Sequence, residues 1–388
     1  MLTIGILAGE SSGDRLGAGL MQSIALRHPQ VEFIGIGGPQ MTAAGLDSLV
    51  SMDRLTVNGF IDPVKRLPEL IGILQLLKRR FLECNLSAFI GVDFNVFNFI
   101  LEGMLKRRGI ATAHYVSPSV YAWRRGRVRS IAKSTDLLLT LYPFEPAFYR
   151  HTNVQACYVG HPLADEIDSQ AGNSRAQLDA REKLGIAGVD HCVAILPGSR
   201  MSEVKLLTAR FLDACEIIHD RQPGTVFVVA CLREHIEQWL RGETAKHPQL
   251  HIVTYHGNAR LALTACDGAI VKSGTSTLEA MLLRRPMVVS YRMGALSYQL
   301  ARHLLRSPFI ALPNILAGRL LVPELLQDAA TPQALADNLF SELDKSVQDP
   351  EYLTTFAELH ESLRCGADDQ AADAVLEWLR TRELREVN

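Results

Sequence analysis

The sequence predicts an α/β protein of two doubly wound, Rossmann-like domains followed by a C-terminal helical segment. Three observations predict it. Short apolar runs rich in Val, Ile and Leu alternate with longer helical patterns, the signature of buried parallel strands joined by helices. The alternation stops once and restarts. The 388 residues suit two domains, perhaps three, at roughly 100–200 residues each.

The first series of strands reads Thr3–Ala8, Glu32–Gly35, Ala88–Val92, Ala111–Val116, Leu137–Leu141 and Gln155–Val159. It breaks between Ile167 and Leu184, where Asp168 to Ser174 is polar and small and reads as a linker. The second series reads Cys192–Leu196, Val226–Ala230, His251–Tyr255, Gly268–Val271 and Met287–Tyr291. From about Thr331 the pattern is helical only. The expected domains are 1–170 and 180–345, with a cleft between them. The helices of 346–388 are expected to pack back on the first domain or on a partner subunit.

Composition excludes several classes. With 47% hydrophobic and 21% charged residues, the chain is not disordered. With 40 Lys+Arg against 42 Asp+Glu, net −2, it is no polycation that coats nucleic acid. Seven widely spaced cysteines without a C-x-x-C pair argue against a disulfide scaffold or structural zinc. The 12 histidines are scattered, and neither H-E-x-x-H nor Asp-x-Asp occurs, so no metal and no cofactor are expected. The N-terminal apolar run lacks a basic start and meets Gly9-Glu10-Ser11-Ser12-Gly13-Asp14 at once, unlike a signal peptide. No stretch offers the roughly 18 apolar residues of a membrane span. A cytoplasmic, non-integral protein is expected.

In open α/β sheets ligands bind beyond the carboxyl ends of the strands, so the residues after each strand are the candidates. Gly9–Asp14 follows the first strand: a ligand loop whose free N–H groups suit an anion or sugar, or a tight turn with Ser as N-cap. It is not the dinucleotide fingerprint. Asp93 follows the strand Ala88–Val92 as a candidate general base or as a cap of the next helix. After Ala111–Val116 comes Ser117-Pro118-Ser119-Val120-Tyr121-Ala122-Trp123-Arg124-Arg125. From Lys106 to Lys133 there are eight Lys and Arg and no acidic residue. That run is a solvated helix face or, given the interleaved aromatics, a surface for a phosphate-bearing partner or membrane.

In the second half, Pro197-Gly198-Ser199-Arg200, with Glu203 following, places a mobile backbone, a hydroxyl and a guanidinium at one strand end. Lys272-Ser273-Gly274-Thr275-Ser276-Thr277 runs from a strand into a helix whose N–H groups suit a diphosphate. Glu279 lies about one turn further in, placed for a ribose. The Walker pattern is absent. Leu67–Phe81 reads as an over-apolar helix in which Ile73 and Leu76 fall off the main apolar face and Lys and Arg flank both ends. It is either an interfacial helix or one buried on two sides.

At these motifs the sequence resembles the lipid-A-disaccharide synthases, bacterial glycosyltransferases of the two-Rossmann-domain (GT-B) type. The resemblance rests on Ala8–Asp14, His114–Arg124, Leu196–Arg200, Ser273-Gly274-Thr275, Pro286–Met293 and Leu312–Arg319, several blocks in the right order. It implies an inverting transfer of 2,3-diacylglucosamine from its UDP donor to 2,3-diacylglucosamine 1-phosphate (lipid X), forming a β-1,6 linkage and releasing UDP. The first domain would bind the acceptor and the second the UDP-sugar. It further implies Asp93 as base, with Glu10, Arg200 and Asn314 in the site. The family usually reads Asp-Ala-Pro-Asp-Phe-Asn where this chain has Asp93-Phe94-Asn95-Val96-Phe97-Asn98, so the second Asp is replaced by Val96.

Taken together, Asp93 and Glu10 are the catalytic candidates. Gly198, Ser199, Arg200, Ser273, Gly274, Thr275, Ser276, Glu279, Tyr291 and Asn314 are expected at the donor. Ser11, Ser12, Tyr115, Ser117, Trp123, Arg124, Arg125, Ile73 and Leu76 are expected at the acceptor or membrane. Peripheral association with the inner membrane and a homodimer are expected, and nucleic acid is not. A UDP-sugar epimerase of the same fold and a non-enzymatic membrane-surface module are the rival readings.

Overall fold

The computed structural model describes residues 2–55, 63–121, 126–231, 233–294, 298 and 307–387. The chain divides into two compact units, residues 1–165 with 363–388, and residues 166–362.

The first unit carries seven strands: β1 (Thr3–Ala8), β2 (Glu32–Ile36), β3 (Leu46–Ser48), β4 (Ala88–Val92), β5 (Ala111–Tyr115), β6 (Leu137–Thr140) and β7 (Gln155–Tyr158). They form one sheet in the order β3-β2-β1-β4-β5-β6-β7, with every pair parallel. Its helices are α1 (Ser11–Arg27), α2 (Pro39–Ala43), α3 (Pro63–Glu83), α4 (Asn95–Lys106), α5 (Arg127–Ser134) and α6 (Pro162–Glu166), which ends at the division between the units. The central strands β1, β4 and β5 are buried along almost their whole length, which is why they read as unbroken apolar runs.

The second unit repeats the plan with β8 (Cys192–Leu196), β9 (Val226–Cys231), β10 (His251–His256), β11 (Gly268–Lys272), β12 (Met287–Tyr291) and β13 (Glu324–Leu326). The order is β10-β9-β8-β11-β12-β13. Helices α7 (Ser174–Lys183), α8 (Met201–Arg221), α9 (Glu234–Thr244), α10 (Ala259–Ala265), α11 (Thr275–Leu282), α12 (Leu312–Ala317), α13 (Pro332–Gln348) and α14 (Pro350–Leu363) accompany it. A final helix, α15 (Ala367–Val387), returns to the first unit. There Ala371, Ala372, Val375, Trp378 and Leu379 join the core of α1 and β1. Arg27 of α1 bridges Asp369 at 2.9 Å and Asp373 at 2.5 Å.

In each sheet the strand order reverses once, between β1 and β4 and between β8 and β11. A crevice opens at such a reversal, outside the carboxyl ends of the strands. Four turns therefore carry the candidate chemistry: those after β1, β4, β8 and β11.

Three elements differ from the sequence reading. The stretch read as a linker, Asp168 to Ser174, runs directly into α7, whose N-cap Asn173 accepts the Ala176 N–H at 2.9 Å. Its composition is polar because one face is solvated, while Arg181 reaches inward to Asp267 at 2.8 Å. Strands β3 and β13 have three residues each, too few to show an apolar period.

The acidic residue of the first turn is structural. Asp14 is 2% exposed and accepts the N–H groups of Gly38 at 2.7 Å, Met41 at 3.0 Å and Gln40 at 3.1 Å. It thereby caps α2 from a distance and ties α1 to the end of β2. Asp14→Ala leaves those donors unpaired and is expected to destabilise the first unit by about 2–4 kcal/mol. The denaturant midpoint measures it, and an unchanged midpoint refutes the capping role.

Candidate active site

In the first unit, β4 ends in two consecutive residues with left-handed backbone, Asp93 (φ 47°) and Phe94 (φ 46°). This bend lifts the Asp93 side chain off the strand. Asn98, fully buried on α4, holds the bend: its Nδ2 donates to Asp93 O at 2.8 Å, to Leu7 O at 3.3 Å and to Val92 O at 3.4 Å. Gly9 leaves room for the Phe94 ring, which a Cβ there would strike.

The Asp93 carboxylate takes Ser12 Oγ–H at 3.4 Å and Asn95 Nδ2–H at 3.3 Å. It does not cap α4, whose N-cap is Phe94 without a side-chain bond. Nor is Ser the cap of α1. Glu10 holds that position, also without a side-chain bond, and Ser11 and Ser12 are the exposed first helical residues.

Asp93 and Asn95 line a cavity of about 400 Å³ with Val116, Ser117, Pro118, Ser119, Val120 and Arg127. Val116 is also left-handed, at φ 83°, an uncommon conformation for a β-branched residue. Strained backbone at two neighbouring strand ends around one cavity is what functional sites accumulate.

Behind Ser117 lies a buried polar cluster. Its Oγ pairs with Tyr149 Oη at 2.9 Å. Glu145, 1% exposed, accepts the N–H groups of Tyr142 at 3.0 Å and Leu141 at 3.1 Å. Burial pushes the Glu145 carboxyl up to about 8, against those N–H bonds and the Ser117 hydroxyl, which pull it down. Burial likewise pushes Tyr121 and Tyr149 up to about 12. It drives His161 down to about 4, helped by the charge of Arg15.

In the second unit three strand ends are knitted together. Glu203, in the first turn of α8, reaches Lys272 Nζ at 3.0 Å and lies 3.9 Å from Arg200 Nη1. Gly198, at φ 132°, makes this possible, since a Cβ there would stand 2.8 Å from Glu203 Oε2. The Lys272 ammonium sits 5.2 Å from the centre of the Tyr291 ring. Burial, then the Glu203 charge, raises the Tyr291 hydroxyl. Ser199, Arg200 and Thr275 are exposed, while Ser276 and Glu279 are half-buried on α11.

Ser273 and Asn314 are committed internally. Ser273 Oγ donates to Ile310 O at 2.8 Å. Asn314, fully buried, donates to Val322 O and Glu324 Oε1, both at 2.8 Å. It accepts from Leu321 N at 2.7 Å and Val322 N at 2.8 Å, which uses its whole bonding capacity. Glu324 also takes the Ile310 and Ala311 N–H groups at 3.0 and 2.8 Å. Asn314 and Ser273 thus shape the loop beside α11 with their side chains turned into the protein.

Two expectations need correction. Tyr115 is fully buried in the β-sheet core, because β5 is a central strand covered on both faces. Ile73 is 3% exposed and packs with Leu74, Leu77 and Phe81. The apolar residues that α3 does expose are Leu67 (54%), Ile71 (48%) and Leu76 (37%). Trp123, Arg124 and Arg125 lie outside the described residues. Sequence reasoning passed over Asn95, Asn98, Glu145 and Lys272, and took Arg127 only as one member of the basic run Lys106–Lys133. Asn95, Asn98 and Lys272 stood inside the quoted motifs, whereas nothing local marked Glu145.

Among the described residues, no three His, Cys, Asp or Glu side chains gather as a metal site would require. No helix among them is long and apolar enough to cross a membrane.

The sequence model of a family described as lipid-A-disaccharide synthetase matches residues 4–375. A lipid-A-disaccharide synthase of Pseudomonas aeruginosa (strain UCBPP-PA14) is 46% identical over 98% of this chain and 99% of its own. Among solved structures, UDP-GlcNAc 2-epimerase from Neisseria meningitidis superposes with a TM-score of 0.63 at 10% identity, covering 98% of this chain and 99% of that one. Acinetobacter baumannii MurG gives 0.54 at 13%, covering 98% and 100%. The two structures share the architecture only, and glycosyltransferases and an epimerase both adopt it.

Because burial raises the folded Glu145 value above the ordinary 4.5, its stability contribution is complete below pH 4.5 and is lost as pH rises towards 8. Relative to Glu145→Gln, the wild type should lose up to about 1.4 kcal/mol per pH unit across that window. His161 titrates equally in both proteins and cancels. Urea unfolding at pH 5, 6.5 and 8 measures the difference, and a constant difference contradicts the assignment.

Proposed function

The chain belongs to the lipid-A-disaccharide synthetase family of glycosyltransferases, and from that premise we propose that Asp93 is the general base and that the turns after β8 and β11 hold the donor's diphosphate. The reaction joins the 2,3-diacylglucosaminyl group of a UDP donor to the 6-hydroxyl of 2,3-diacylglucosamine 1-phosphate. The acceptor oxygen forms a bond to the anomeric carbon as the bond from that carbon to the diphosphate oxygen breaks. The proton goes to Asp93 and the electron pair leaves with UDP, so configuration inverts.

The observation that carries this assignment is the carboxylate of Asp93 on the rim of its cavity, aimed by Ser12 and Asn95. A base must be within hydrogen-bond reach of the proton it takes, and the left-handed bend provides that projection. Glu10, exposed one turn away at the start of α1, adds a second carboxylate at the same strand reversal. Arg127 lines the cavity and is exposed; it is assigned to the acceptor's phosphate. On the donor side, Arg200, Ser199 and the N–H groups of Thr275 and Ser276 face the diphosphate as its charge grows. Glu279 holds the ribose. Ser273 and Asn314 act by shaping the loop beside them.

Both substrates carry acyl chains, so the chain is assigned a peripheral place on a membrane. The exposed Leu67, Ile71 and Leu76 on α3, with Val96 (67%) and Ile100 (48%) on α4, are the apolar surface for it. Lys78, Arg79 and Arg80 follow on α3, the last two paired with Glu83. Pairing into a homodimer is part of the same reading, on family resemblance alone.

Asp93→Asn should fold normally and lose more than about a hundredfold in transfer rate, followed as UDP release with the lipid acceptor present. Near-normal turnover would hand the proton to another group. Ile71→Ser with Leu76→Ser should lower co-sedimentation with anionic vesicles at an unchanged melting temperature. Ile73→Ser, by contrast, should cost about 2–4 kcal/mol of stability. Equal vesicle binding by the double variant and wild type would remove this surface from the account.

A further inference from the structure

We propose that Lys272 is a second cationic ligand of the donor's diphosphate and that Glu203 is the resident counter-ion that keeps it in place before the donor arrives. This rests on the assignment of the diphosphate to the turns after β8 and β11.

Lys272 is the last residue of β11, and its side chain is only 18% exposed. Three features converge on its ammonium. Glu203 Oε1 stands at 3.0 Å. The Tyr291 ring lies beneath it, with its centre 5.2 Å away. A Cβ on Gly274, the N-cap of α11, would be 3.8 Å away. A cation therefore sits at the positive end of a helix, where cations are disfavoured. The Arg200 guanidinium, 71% exposed, approaches the same carboxylate at 3.9 Å. Two cations and a helix end thus share one carboxylate.

Glu203 thus meets the Lys272 ammonium at 3.0 Å and the Arg200 guanidinium at 3.9 Å. A half-buried ammonium at a helix N-terminus is best matched by an anion that meets the ammonium and the N–H groups together. A diphosphate supplies that anion, and its leaving oxygen gains charge during transfer. The position fits this use. β11 lies at the reversal of the sheet, and its end passes into the Ser273–Thr277 turn. Tyr291 supports the ammonium through a cation–π contact. Glu203 reaches Lys272 only because Gly198 lacks a side chain, so the Pro197–Arg200 turn and Lys272 are built as one unit.

A lysine that binds the outer phosphate should distinguish UDP from UMP, whereas one that merely props the fold should not. Lys272→Gln keeps a donor for Glu203 and removes the charge. Calorimetry should then show UDP affinity reduced roughly tenfold to a hundredfold, UMP affinity changed by less than about threefold, and substantial recovery in Lys272→Arg. Unchanged UDP affinity overturns the proposal, as does an equal loss for UDP and UMP. Should Lys272→Gln melt early, Lys272→Arg and Glu203→Gln remain as tests. The latter frees Lys272 from its competitor and should bind UDP at least as tightly as wild type, and a loss above tenfold in it overturns the counter-ion role. Arg200→Ala serves as the reference. If it loses UDP affinity and Lys272→Gln does not, only Lys272 is wrongly assigned. If neither does, the placement of the diphosphate itself falls.

Discussion

The left-handed bend that closes β4 is the constraint on which the first unit's chemistry depends. A residue continuing straight from a parallel strand would leave its side chain against a neighbouring element. Two successive residues at φ 47° and 46° instead stand Asp93 at the cavity rim. Neither is glycine, so the conformation is held against its own preference, at about 1–3 kcal/mol per residue. One buried amide, Asn98, ties three carbonyls together and keeps it there. Replacing the family's second Asp by Val96 leaves this clamp untouched, since Val96 is exposed and Asn98 carries the load.

The two units solve different electrostatic problems at the same topological place. At the β1/β4 reversal the protein supplies carboxylates, Asp93 and Glu10, among hydroxyls and an amide. At the β8/β11 reversal it supplies cations, Arg200 and Lys272, with N–H groups and a single balancing glutamate. A group that takes a proton and a group that stabilises a departing anion need opposite surroundings. Building each at its own sheet keeps the two potentials from cancelling within one unit. Family membership supplies the substrates. On the proposed assignment, the residues account for placing the base in the first unit and anion binding in the second.

Much of this was legible in the sequence because parallel strands buried on both faces announce themselves as apolar runs, and the turns after them can be read off directly. Asp93, Arg200 and the Ser273–Thr277 turn were singled out in that way, and each lies at a strand end beside a sheet reversal. The failures have physical causes. Tyr115 closes a strand that is buried on both faces, and its place inside a motif beside polar residues hid that burial. Helix α3 is apolar on more than one face, and its pattern alone did not show that Ile73 packs inward while Ile71 stays out. Asn98 and Glu145 act through contacts with distant carbonyls and amides, and no local motif encodes such contacts. Lys272 was visible as a letter in a motif, but its role depends on Glu203 folding back under a glycine one strand away.

The buried cluster behind Ser117 shows why such residues persist despite their cost. Glu145 is held in a site that disfavours its charge, and its two backbone N–H bonds only partly offset the burial. An apolar side chain there would leave the Leu141 and Tyr142 N–H groups unpaired, a penalty of about 1–3 kcal/mol each. Those groups belong to the turn after β6, which packs against the Ser117 segment through Tyr149. A glutamate that prefers its proton can satisfy that turn without placing a full charge beside the Asp93 cavity.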